Sequence, residues 1–174
     1  MPSKSTLSQV LDTHADNLRL ASVFRVLARG HNLHAAFEAI VEDKTPAAFA
    51  PSLQLLKNKR KLVHTVEQLY LAIVRTAVTE SLELTRDYCR ETKQTKTLKA
   101  EEWFTVFRLI RNALNHNFHF EFSESDLKEL PATWRTIIID SALNGTEFTR
   151  SALPPDLAIE WLAELDAFIS NRLK

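Results

Sequence analysis

The sequence predicts an all-α protein: an antiparallel helical bundle, one domain over residues 1–174, with a small β-hairpin near residues 135–149. Three observations lead there. The chain holds only 2 glycines, too few for the many tight turns of a β-rich fold. Apolar residues recur at spacings of three and four over several long stretches. Turn-forming residues are gathered into a few short segments, and no repeat, low-complexity run or linker divides the chain.

The first helix is expected from near Ser5 or Thr6, either of which can cap it, to Gly30, which can end it in a left-handed conformation. Leu7, Val10, Leu11, Leu18, Ala21, Val23 and Phe24 supply its apolar face. A second helix is expected over about Asn32 to Val41, on the stripe Ala36, Phe37, Ile40 and Val41. The segment TPAAFAPS, with its two prolines, reads as a connection. From about Arg60 to Lys93 the stripe Leu62, Val66, Leu69, Ile73, Ala77, Leu84 and Tyr88 predicts a helix, ~50 Å long if continuous and long enough that a kink or break would not surprise. Thr95 to Thr97 form the turn after it.

A further helix runs from about Ala100 to His116 or beyond, with Trp103, Phe107, Ile110 and Leu114 within ~40° of one direction. SESDLKELP predicts a short helix capped by Ser123 and stopped before Pro131. RTIIID, the turn-forming Asn144-Gly145 and TEF fit a hairpin, although IIIDSAL also fits a helical turn. After Pro154-Pro155 a last helix follows, its stripe made by Leu157, Trp161, Leu162, Leu165, Phe168 and Ile169.

An apolar fraction of 45% and a charged fraction of 25% are those of a soluble globular chain. With 22 basic and 22 acidic residues the formal charge is zero, which argues against duplex DNA held on a broad basic face. A local anion site remains compatible with that balance. The lone Cys89 excludes an intrachain disulfide and any site built from several cysteines. The N-terminal residues lack the apolar core of a signal peptide, and no apolar run approaches the ~20 residues that span a bilayer. The expected location is cytoplasmic, without membrane contact.

One stretch is unusual for an ordinary wet helix face, although an exposed helix end is the plain alternative. Arg111-Asn112-Ala113-Leu114-Asn115-His116 runs on into a segment that includes His119. Arg111 lies ~80° round from the core direction, at the edge of apolar surface, and Asn112, Asn115 and His116 continue the arc. A guanidinium binds two phosphate oxygens at once, and imidazole moves protons near neutrality. Amides can orient a ribose hydroxyl, and RNA carries its own nucleophile, the 2′-hydroxyl. No metal or other cofactor is needed. Arg111 and His116, five residues apart, diverge by ~140° on a straight helix. Either the helix frays before His116, or a second subunit completes the site.

Arg111, Asn112 and His116, near the end of a helix in an all-α chain, resemble the motif of the HEPN superfamily (higher eukaryotes and prokaryotes nucleotide-binding domains). That motif is an arginine, often followed by asparagine, with histidine after four to six intervening residues. The resemblance covers about residues 59–122. It implies a metal-independent endoribonuclease, homodimeric, with two motifs facing one cleft. His116 would be the acid/base, Arg111 would hold the scissile phosphate, Asn112 would assist, and products would end in 2′,3′-cyclic phosphates. Members serve as toxins with antitoxin partners, in phage defence or in RNA processing. Others keep the fold as non-catalytic nucleotide-binding or protein-interaction modules, which is the alternative here.

Asn115, His119 and Glu80 are supporting candidates. Glu80 falls on the expected apolar stripe, where a carboxylate needs a partner or a path to water, and Arg111 could be that partner. The basic run Lys57, Lys59, Arg60 and Lys61 could contact an RNA backbone and line the same cleft. His31 with His34, and His116 with His119, have a three-residue spacing but no familiar metal signature. His14 and His64 carry no signal. Trp134, Trp161 and Phe168 read as core.

Overall fold

The computed structural model describes residues 3–30, 33, 35 and 50–174. The expected helix over Asn32–Val41, His31 and His34, and most of the TPAAFAPS connection lie outside the described residues. Seven helices are described: α1 (Lys4–Gly30), α2 (Ala50–Lys57), α3 (Lys59–Glu91), α4 (Thr95–Lys99), α5 (Phe104–Asn115), α6 (Glu124–Lys128) and α7 (Pro155–Asn171). Two strands, β1 (Ala132–Trp134) and β2 (Ile137–Ile139), pair antiparallel in the register Ala132 with Ile139 and Trp134 with Ile137.

Cross-helix contacts give the directions. Arg25 and Arg29 of α1 reach Glu67 of α3, while His14 meets Glu80, so these two helices run antiparallel. Ser8 bonds Asp166 and Lys4 bonds the Leu173 carbonyl, so α7 is antiparallel to α1 as well. Thr79 meets Asn115 and Glu83 meets Arg111, which makes α5 antiparallel to α3. The bundle is therefore the expected all-α architecture, with a small hairpin beside it.

Its centre is aromatic. The Trp161 ring of α7 lies flat on Phe107 of α5, centroids 3.4 Å apart and planes 9° from parallel. Trp134 of β1 meets Phe107 edge-on at 4.8 Å, and Trp103 adds a contact at 4.6 Å. The buried indole donates from Nε1 to Ser81 Oγ on α3 at 3.3 Å, so three helices converge at one point. Small Ala77, Ser81 and Thr85 let α3 come close there. The hydroxyls of Ser81 and Thr85 donate back to the carbonyls of Val78 and Ser81, which removes the cost of burying them.

Several expectations need correcting. The buried stripe of α3 is Leu62, Tyr70, Val74, Ala77, Val78, Ser81, Leu82, Thr85, Tyr88 and Cys89. Leu69 stays 53% exposed. The helix is rotated from the sequence-based stripe because it packs on α1, α5 and α7 together, and small polar residues share the buried arc. It is one continuous helix of 33 residues, the unbroken form of the expected one. The first helix ends at Gly30 as expected, but without a left-handed angle there. On α1, Val23 and Phe24 remain 53% and 46% exposed, off the buried face. Where Thr95–Thr97 were expected to turn, α4 forms, and the reversal falls at Lys93, with φ 59°.

The hairpin turns earlier than expected, at Arg135-Thr136, with Arg135 at φ 54°. Asn144-Gly145 makes a different corner. Gly145 (φ 76°) donates to the Phe120 carbonyl at 2.7 Å, and Phe120 donates back to Thr146 at 2.9 Å. TEF thus pairs with the segment after the motif helix, not with the isoleucines.

Trp161→Ala removes the shared contact of α3, α5 and α7 and is expected to lower stability by about 3–5 kcal/mol. Urea unfolding followed by circular dichroism reads this, and an unchanged midpoint would contradict the assigned centre.

Candidate functional site

α5 is the helix that carries Arg111, and its packing decides where that side chain goes. Phe104, Val106, Phe107, Leu109, Ile110, Ala113 and Leu114 are buried, so most of the circumference faces protein. Arg111 follows Phe107 by four residues, ~40° round, on the edge turned to α3. There its Nη2 lies 2.5 Å from Glu83 Oε1, and its Nη1 donates to Asn112 Oδ1 at 3.0 Å. Nε is buried and unpartnered among the described residues. With its side chain 25% exposed, the guanidinium is fixed at two points and keeps N–H groups for a further acceptor.

Asn115 shares that edge, its Oδ1 accepting from Thr79 Oγ1 at 3.4 Å. His116 does not. Its backbone N–H still donates to the Asn112 carbonyl at 2.9 Å, so the helix positions it to the end and no fraying precedes it. The side chain leaves ~140° round from Arg111. Its Nδ1 lies 3.4 Å from Glu121 Oε2, with both side chains more than half exposed. Within one chain, Arg111 and His116 therefore serve different partners on different sides.

Beyond His116 the helix stops because Asn117 and Phe118 take left-handed angles, φ 52° and 61°. Asparagine adopts them readily, whereas phenylalanine is strained there. Arg75 of α3 lies 5.9 Å above the Phe118 ring. The loop is fastened from outside: Phe148 N–H donates to the Phe118 carbonyl at 2.6 Å, and Asn144 Oδ1 accepts from Phe122 N–H at 2.9 Å. His119 sits in this loop, exposed, Nδ1 3.0 Å from the Asn117 carbonyl. The helix does not reach it, so His119 does not continue the polar arc or share a helical side with His116.

A second clamp holds the next turn. Ser123 and Asp126 form a reciprocal cap at the start of α6, and Arg108 of α5 binds Asp126 and Glu129. Burial alone would raise the Asp126 carboxyl, but hydrogen bonds from Ser123 and Arg108 outweigh it and hold the group below its usual range. Burial likewise opposes the Arg108 charge, and Asp126 and Glu129 reverse that, so its pKa is raised.

Two sequence-based candidates are placed elsewhere. Glu80 does not pair with Arg111; it lies 3.3 Å from His14 Nε2, off the line of a hydrogen bond, with 52% of its side chain exposed. The rotation of α3 turns Glu83, one turn further on, to Arg111 instead. Lys57, Lys59, Arg60 and Lys61 are exposed at the other end of α3, where Asn58 caps the helix. From Lys61 to Thr79 is ~27 Å along the axis, so that run does not line the motif's surroundings. Glu83, Thr79, Arg75 and Glu121 were not singled out from sequence. Their signal is the antiparallel register of α3 against α5, which no local pattern encodes.

Chemically, the arrangement offers a preset guanidinium, amides beside it and an exposed imidazole. Burial pushes the Cys89 thiol up to about 11, which keeps it protonated and unsuited to nucleophilic work. Among the described residues no three His, Cys, Asp or Glu side chains group to hold a metal ion. Nor is any described helix long and apolar enough to cross a membrane. No protein-family model, curated protein or solved structure matches the chain.

The Arg108–Asp126–Ser123 clamp has a pH signature. With its native pKa depressed, Asp126 contributes stability above the ordinary carboxylate value of 3.8 and loses it as pH falls through the native one. Asp126→Ala is expected to cost about 1–3 kcal/mol at neutral pH. The gap from wild type should narrow below the ordinary value. Urea titrations at several pH values read it, and a gap constant down to strong acid would contradict the clamp.

Proposed function

We propose that the protein is a metal-independent endoribonuclease of HEPN type, acting as a homodimer in which two copies of the motif share one cleft. The observation that carries this reading is the state of Arg111: a guanidinium held at two points by Glu83 and Asn112, at the edge of apolar surface, with N–H groups left for a phosphate. The divergence of His116 from Arg111 supports the dimer, because a helix intact to its last turn keeps the two apart within one chain.

In the proposed reaction Arg111 binds non-bridging oxygens of the scissile phosphate. The His116 imidazole of the second copy takes the proton of the 2′-hydroxyl, whose oxygen attacks phosphorus, and the 5′-oxygen leaves with a proton drawn from water. The product strand ends in a 2′,3′-cyclic phosphate. Asn112 and Glu83 are positioning residues that hold the guanidinium. Asn115 and Thr79 hold the neighbouring turn. A role as a toxin with an antitoxin partner, or in phage defence, is part of the same family-based reading.

A second reading has an observation of its own. Glu83 and Glu121 put a carboxylate beside each of the two motif residues, which disfavours an incoming phosphate and suits a non-catalytic HEPN-fold module binding a nucleotide or a protein. The exposed His116–Glu121 pair is weak and easily exchanged, so the catalytic reading stands first.

Cleavage of a fluorescent RNA in EDTA tests the choice. Wild type should cut and leave cyclic phosphate ends, and His116→Ala or Arg111→Ala should slow cutting by about 10²–10⁴-fold. Folded, inert wild type would remove the enzyme reading and leave the binding module.

A further inference from the structure

On the far side of Glu83 from the motif lies an open groove of about 840 Å³ between α3, α4 and α5. Arg86, Arg90, Lys99 and Arg108 line it against one carboxylate, Glu129. In a chain of zero formal charge this is a local concentration of cations. We propose that this groove is the track along which a single-stranded RNA backbone reaches Arg111. The proposal rests on the ribonuclease reading and extends it to the path of the substrate.

The four cations are not equally available. Arg108 is committed to Asp126 and Glu129 and forms part of the wall. Arg90 pairs with Asp87 one turn away, but with 71% and 48% of the side chains exposed that pair exchanges readily with another anion. Lys99 is exposed and has no ion pair among the described residues. Arg86 shares its partner with the motif: Glu83 Oε1 lies 3.0 Å from Arg86 Nη1 and 2.5 Å from Arg111 Nη2. One carboxylate oxygen thus joins the inner end of the groove to the proposed phosphate site, and a phosphate in either place competes for its partners.

The form of the groove favours a single strand. Arg86 and Arg90 stand four apart on α3, ~6 Å along its axis on one side, a spacing that a flexible backbone can follow. Phe104 supplies an apolar floor beside them, in keeping with single-strand sites that pair a basic groove with aromatic surface. A rigid duplex takes its affinity from a broad basic face, which the balanced charge of this chain argues against.

The test uses a short 5′-labelled single-stranded RNA and anisotropy over a range of salt, in a His116→Ala background so that binding is read without cutting. Arg90→Glu with Lys99→Glu should weaken binding at least ~10-fold and reduce the salt slope by roughly 0.7 for each phosphate left without its cation. Arg19→Glu, on exposed α1 surface, should leave both unchanged, and duplex DNA of equal length should bind worse than the RNA. Equal affinity and slope in the double variant overturn the groove. With His116 intact, cutting by wild type and by the double variant at the same rate would sink the groove while the ribonuclease reading stands. Groove-dependent binding by a wild type that never cuts would sink the ribonuclease reading and keep the groove as an RNA site.

Discussion

The flat contact between Trp161 and Phe107 is the interaction on which the rest of the molecule depends. A stacked pair fixes the rotation of both helices that carry it, because turning either one lifts a ring off the other. The Trp161 N–H then ties the stack to Ser81, which sets the height of α3 against α7. With rotation and height both fixed, the polar edge of α5 has one place to go: Arg111 meets Glu83, and Asn115 meets Thr79. The electrostatics of the motif follow from the packing of an aromatic centre.

That packing also divides the motif. A helix held by buried residues through Leu114 and hydrogen-bonded as far as His116 cannot bend its last turn to bring imidazole and guanidinium together. The chain reverses instead in the next two residues, Asn117 and Phe118, through left-handed angles that strain Phe118. The Asn144-Gly145 corner and the Arg108–Asp126 clamp then fasten the segment that follows. The imidazole stands on a rigid edge at the surface, which suits a residue meant to complete a site with another molecule.

The helical class was legible because it rests on periodicity and on few glycines, both local properties. The capping of α6 by Ser123 and the start of α7 at the proline pair were legible for the same reason. So were Trp134, Trp161 and Phe168 as core. What escaped depends on pairing between distant segments. The stripe of α3 could not be pinned, because Ser81 and Thr85 are buried by virtue of bonds to the backbone and to Trp161. Glu80 rather than Glu83 stood out for that reason. Asn144-Gly145 was recognised as a corner but given the wrong partner, since its true one lies more than twenty residues upstream. At the site, the identity of Arg111 and His116 as an unusual pair came from sequence; the carboxylate on each did not.

The central claim is that one catalytic site is made by Arg111 of one copy and His116 of another. Mixing Arg111→Ala protein with His116→Ala protein, each inert alone, tests it most directly by cleavage of labelled RNA in EDTA. Activity is expected to return in part on mixing, since half of the sites in each mixed dimer then hold an intact arginine and an intact histidine. Wild-type activity that no mixture of the two variants restores, although mixed dimers form, would contradict it.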